Sequence, residues 1–211
     1  MNIAFIGYGQ VGGPLADRLQ RLGHTVTLAA ADAGSDSVKK ALARNPQLQV
    51  ALPKDAVSGA EVVFLATPFA ANADAVQAVA EELVGKILVD CTNPVGPTLS
   101  HGLRSEQSGS EWLQQLAPHT QVIKAFTIYG FENFEDSTYP AYSVKPVMMF
   151  CGEQAAAKQV VGALIAALGF EPLDVGGLNQ ALHLEHMTLL WVRLVRVNKH
   201  SPNLVWAALH R

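Results

Sequence analysis

The chain has 211 residues, of which 49% are apolar and 16% charged, with a formal net charge of -3. That length suits one domain with a sizeable core, and the apolar balance suits a parallel sheet covered on both faces. The weak negative charge gives no support to a nucleic-acid or anionic-membrane partner, and Cys91 and Cys151, which lack CxxC or metal-ligand spacing, point to inert thiols in a reducing compartment.

Strand-length apolar runs alternate with segments of helical period. "NIAFIG" leads into "VGGPLADRLQRLG", where Leu15, Leu19 and Leu22 recur at helical spacing and Gly23 fits the stop. "HTVTLAA" is followed by a polar stretch and a helix around "SVKKALAR". "EVVFLAT" precedes the helix "ANADAVQAVAEELVG", and "KILVDCT" precedes the Pro/Gly-rich loop "NPVGPTLSHG". "GLRSEQSGSEWLQQL" reads as a surface excursion over the sheet edge before the strand "QVIKAFT". "PVMMFCG", the helix "EQAAAKQVVGALIAALG", the short strand "FEPLDVG" and a terminal helix over about 178–198 complete the order. This alternation predicts one Rossmann-like α/β domain over 1–211, a doubly wound and mostly parallel sheet with a C-terminal helical extension. The opening residues carry no basic n-region, and the apolar "MTLLWVRLVRV" is short and holds Arg193 and Arg196, so no membrane span and a cytoplasmic location are expected.

Gly7-Tyr8-Gly9-Gln10-Val11-Gly12 directly follows the first strand and opens the first helix, the setting in which Gly-x-Gly-x-x-Gly binds a dinucleotide. Gly7 permits the tight turn, Gly9 lets backbone approach a pyrophosphate, and Gly12 lets helix pack on strand. At the second strand end, Ala29, Ala30 and Ala31 leave room for a 2′-phosphate, with Ser35, Ser37, Lys39 and Lys40 as sources of hydroxyls and charge. NADP is therefore favoured, while Asp32 keeps NAD open. Thr67-Pro68 and Asn93-Pro94 close two further strands, where the nicotinamide ribose passes in open α/β sheets. His183, Glu185 and His186 have no third ligand, so no metal site is expected. There is no Gly-x-Ser-x-Gly elbow, and no acid/base pair or other catalytic residue can be named.

The stretches "IAFIGYGQVGGPLADRLQRLGHTV", "VDCTNPVGP", "VIKAFTIYG", "MMFCGEQAAAKQVVGALIAALGFEPLDVGGL" and "LEHMTLLWVRL" together resemble the deazaflavin (coenzyme F420) dependent NADP oxidoreductase family over nearly the whole chain. The resemblance implies hydride transfer between a nicotinamide and a second flat ring, a deazaflavin or flavin. It implies that Gly7, Gly9, Gln10, Val11 and Gly12 hold the pyrophosphate, Thr67 and Pro68 flank the ribose, Asn93 and Pro94 border the nicotinamide, and Ala125 and Phe126 back the ring. From the residues themselves, independently of the resemblance, Ala30, Ser35 and Lys39 are expected to face the 2′-phosphate. The chain departs from the family pattern in having Ala30-Ala31 for Ser-Arg and Thr127 for Asn. Two rivals are a non-catalytic NADP(H)-binding sensor module and a β-hydroxyacid dehydrogenase, for which Lys199 and Asn203 have the Lys-x-x-x-Asn spacing. Leu182, Met187, Leu190, Trp191, Leu194 and Val195 exceed one apolar stripe on the terminal helix, and the resemblance also implies a dimer, so a homodimer through this helix is expected.

Overall fold

The apolar runs pair into an eight-stranded sheet: β1 (Asn2–Ile6), β2 (Thr25–Ala29), β3 (Gln49–Ala51), β4 (Val62–Leu65), β5 (Ile87–Asp90), β6 (Gln121–Lys124), β7 (Val147–Gly152) and β8 (Glu171–Asp174). A computed structural model describes all 211 residues. Strand order is β3-β2-β1-β4-β5-β6-β7-β8, parallel throughout except where β7 runs antiparallel to β6. The order reverses between β1 and β4, which leaves a crevice beyond the carboxyl ends of the strands.

Register decides what meets in that crevice. Leu65 pairs with Asp90, and Asp90 with Lys124, so a carboxylate and an ammonium close neighbouring strands. Along β1 the side chains alternate: Ile3 and Phe5 join one buried cluster, Ala4 and Ile6 the other, so both faces of the sheet are covered. Phe5 stacks on Phe64 with ring centroids 4.7 Å apart, and Phe64 meets Phe126 at 5.8 Å.

Helix α1 (Gly12–Arg21) buries Leu15, Ala16 and Leu19 and stops where Gly23 adopts a φ of +91°. The others are α2 (Asp36–Arg44), α3 (Pro53–Ser58), α4 (Asn72–Gln77), α5 (Gly109–Leu116), α6 (Glu132–Glu135), α7 (Ala155–Ala167) and α8 (Ala181–Val192). A 3-10 turn over Leu178–Gln180 leads into α8 and a π-type turn over Arg193–Val197 extends it, which spans the expected terminal helix. Strand β3 and helices α3 and α6 had no clear periodic signal in sequence. No helix is long and apolar enough to cross a membrane.

Two expectations need correction. "GLRSEQSGSEWLQQL" does not skirt the sheet edge. It contains α5, the crossover helix between β5 and β6, which starts on a capping box between Ser108 and Glu111 and buries Gly109, Ser110 and Leu113. Ser108 and Glu111 form the cap and Ser110 donates to buried Asp90, while Arg104, Ser105, Glu106 and Gln115 stay exposed. The second correction concerns the terminal helix. Trp191 is only 1% exposed, and its Nε1–H donates to the carbonyl of Leu204 at 2.7 Å. Residues 198–211 fold back, with the Val147 amide donating to the Trp206 carbonyl at 2.9 Å, so the chain's own tail covers Trp191 and Val195. Leu190 stays 50% exposed.

Trp191→Ala should therefore lower the unfolding free energy by about 3–5 kcal/mol, and Leu190→Ala by less than about 1 kcal/mol. Urea unfolding checks both; equal effects would contradict the tail-covered core.

Candidate functional site

The glycine loop is shaped by close contacts on one side and emptiness on the other. Gly7 has a φ of +88°, and a Cβ there would lie 2.7 Å from the carbonyl carbon of Ala66; one on Gly12 would lie 2.1 Å from the Gly7 oxygen. A Cβ on Gly9 would meet nothing within 4 Å. The N–H groups of Gly9, Gln10 and Val11 donate to no acceptor in the chain. Helix α1 has no side-chain cap and no acid in its first turn, so its positive end faces this space unmatched. A diphosphate fits those free donors, and a side chain at position 9 would fill the room it needs.

Beyond β2, Ala29 and Ala30 are buried and the Ala30 amide bonds the Ala51 carbonyl at 2.9 Å. Asp32 is exposed and accepts from the Gly34 amide at 2.8 Å. Ser35 caps α2 by accepting from the Val38 amide at 3.4 Å, and Lys39 faces solvent 4.0 Å from Asp36. Neither lines the cleft of about 530 Å³ beside the glycine loop, whose walls include Tyr8, Gly9, Gln10, Ser37, Lys40 and Arg44.

The ends of β4, β5 and β6 are joined by buried polar groups. The Thr67 hydroxyl donates to Asn72 Oδ1 at 2.7 Å, Asn72 Nδ2 to Thr92 Oγ1 at 2.8 Å, and Thr92 Oγ1 to Asp90 Oδ1 at 2.7 Å. Asp90 Oδ2 accepts from Ser110 at 2.6 Å and from Lys124 Nζ at 3.0 Å. Lys124 Nζ also donates to the Thr92 carbonyl at 2.5 Å and to Glu185 Oε1 at 2.9 Å. Glu185 in turn accepts from the Gly109 amide at 2.9 Å and bonds His101 Nε2 at 2.8 Å. His101 Nδ1 accepts from the amides of Leu103 and Ser105 at 3.3 and 3.2 Å, so Nε2 carries the hydrogen and donates to Glu185. Burial alone would push the Lys124 pKa down, but the carboxylates of Asp90 and Glu185 outweigh it and hold the ammonium above the ordinary lysine range.

Next to this array, Thr127 Oγ1 donates to Asn93 Oδ1 at 2.5 Å, and Thr188 Oγ1 on α8 lies 3.0 Å from the same oxygen and 2.7 Å from the Thr127 carbonyl. Asn93 therefore has its oxygen engaged and its Nδ2 hydrogens free of any partner in the chain. The Thr127 that departs from the family pattern thus orients Asn93 together with Thr188.

The sequence-derived residues divide as follows. Gly7 to Gly12, Thr67 and Asn93 gather at the crevice. Pro68 starts a 3-10 turn over Phe69–Ala71, and the Pro94 carbonyl accepts from the Gly102 amide at 2.5 Å. Ala125 and Phe126 are buried, and Phe126 has a φ of +55° that turns its ring into the core, 6.0 Å from Phe134. Its side chain cannot back a ligand ring. Lys199 and Asn203 lie on the tail and not on a helix, Lys199 Nζ bonding the Arg196 carbonyl at 2.9 Å, so the dehydrogenase spacing was accidental. Burial pushes the Cys91 thiol well up and that of Cys151 to about 12, so neither is a nucleophile near neutral pH.

The sequence does not single out Asp90, Lys124 or His101, and it shows Glu185 only beside His183 and His186, not as a partner of Lys124. The signal is an acid closing "ILVD" and a base closing "QVIK", each after a run of apolar residues.

Residues 2–94 match the model of a family described as NADP oxidoreductase, coenzyme F420-dependent. A solved structure of a candidate F420-dependent NADP reductase from Arthrobacter sp. FB24 superposes with a TM-score of 0.82 at 30% identity, covering 94% of this chain and 95% of that one. The metalloreductase STEAP3 of Rattus norvegicus is 34% identical over 89% of this chain, which spans only 36% of that protein's length. The F420-dependent NADP reductase of Methanocaldococcus jannaschii is 27% identical over 67% of this chain and 65% of its own. The coverage and identity to the Arthrobacter protein, with the glycine loop inside the matched span, establish that this chain belongs to the coenzyme F420-dependent NADP oxidoreductase family.

Proposed function

We propose that the chain binds NADP(H) across the crevice above β1, β4, β5 and β6 and catalyses hydride transfer between the nicotinamide and a second flat acceptor such as a deazaflavin or flavin. The observation that carries this reading is the Gly9 loop, with its empty approach and unpaired amides at an uncapped helix start. Bound there, the nicotinamide would supply the hydride. The chain supplies position: the loop amides hold the diphosphate, Thr67 presents its oxygen to a ribose, and the free Nδ2 of Asn93 donates to the nicotinamide carboxamide. Orientation at contact distance provides most of the acceleration, so no acid or base is required. The unpaired thiols support a reducing, cytoplasmic setting.

Anaerobic mixing of NADPH with deazaflavin, flavin and ferric acceptors tests the reading, the last because a matched relative is named a metalloreductase. The expected result is loss of reduced-nicotinamide absorbance with at least one acceptor, abolished in Gly9→Asp together with NADPH binding while the circular dichroism spectrum is unchanged. Tight NADPH binding with no turnover on any acceptor would favour the sensor reading instead, and unaltered affinity in folded Gly9→Asp would remove the loop from the site.

The partner proposed for the outer face of α8 is a second copy. Leu190 on α8 and Val197 at the end of the π-type turn are each half exposed. Light scattering at micromolar concentration should give twice the 22.5 kDa of one chain, reduced to one by Leu190→Glu. A parent mass of 22.5 kDa would refute it.

A further inference from the structure

We infer that Lys40 is the residue that distinguishes NADPH from NADH, by meeting the 2′-phosphate from the cleft beside the glycine loop; this rests on the nucleotide reading above. The strand end that usually carries the phosphate clamp holds Ala30 and Ala31, so a basic group must come from farther along the chain. Helix α2 offers two adjacent lysines, and helical phase separates them by about 100°. Lys39 points to solvent, 69% exposed and 4.0 Å from Asp36. Lys40 lies on the wall shared with Tyr8, Gly9 and Gln10.

The other charges on that wall are already matched. Arg44, one turn beyond Lys40 on the same face, pairs with Glu135 at 2.7 Å, and both line the cleft. Lys40 has no carboxylate within ion-pairing distance and no hydrogen-bond acceptor in the chain. It is the unmatched cation beside the free amides of the loop. Ser37 lies three residues before it on the same wall, its hydroxyl 3.2 Å from that of Ser35. Asp32, the acid that would oppose a 2′-phosphate, has Oδ1 occupied by the Gly34 amide. A charged phosphate oxygen meeting this ammonium makes a charge-assisted hydrogen bond that a ribose hydroxyl cannot equal.

The test compares Lys40→Ala with Lys39→Ala, which remove the same charge from neighbouring exposed positions. Calorimetry should show the parent binding NADPH more tightly than NADH. Lys40→Ala should weaken NADPH by about 10- to 100-fold and leave NADH unchanged, while Lys39→Ala keeps the ratio of affinities within about twofold. Equal losses in the two variants would assign the effect to the general field of the helix and overturn the inference. Tight but equal binding of both nucleotides by the parent would overturn it and leave the nucleotide site standing, whereas binding of neither would remove both.

Discussion

The ammonium of Lys124, sealed from water between Asp90 and Glu185, is the interaction on which the crevice depends. It ties the end of β6 to that of β5, to α8 through Glu185, and to the Thr92 carbonyl that immediately precedes Asn93. Glu185 draws in the start of α5 and His101, so one charge organises segments up to 84 residues apart. Such a cluster gains little over an apolar core in net stability, because desolvating its members costs several kcal/mol each. Its value is directional. Breaking one partner leaves a buried charge uncompensated, a loss of about 3–5 kcal/mol, so the strand ends are held in one arrangement and alternatives are penalised.

Two helix starts show how the same chain treats filled and open sites. Helix α5 opens on a reciprocal cap between Ser108 and Glu111, and its Gly109 amide bonds Glu185. Helix α1 opens with nothing. Both begin beside the crevice, and only the second leaves amides unmatched, in a place where a Cβ on Gly9 would touch nothing. Donors withheld from the fold at one helix and spent at another mark where an anion belongs.

Local chemistry was legible in the sequence and long-range chemistry was not. The glycine loop and the alternation of strands and helices that gives the fold class follow from short spacings, because a tight turn and a strand-helix junction are decided within a dozen residues. In sequence Lys124 is one more strand residue, since its partners stand 34 and 61 residues away and only parallel register aligns Asp90 with it. Sequence does not distinguish Lys39 from Lys40, because it does not set the phase of α2 relative to the loop. The inward turn of Phe126 depends on a positive φ that its sequence neighbours do not announce. Trp191 reads as an interface residue in sequence because the tail that covers it has no periodic signal.

The central claim, that one nucleotide spans the crevice from the glycine loop to Asn93, is tested most directly by a crystal structure of the protein grown with NADP+. The account predicts the diphosphate against the amides of Gly9, Gln10 and Val11, the carboxamide at Asn93 Nδ2, and Lys124 still bridging Asp90 and Glu185. A nucleotide seated elsewhere, for example in the cleft of about 440 Å³ between Tyr142 and Leu204, with the Gly9 amides bare, would contradict it.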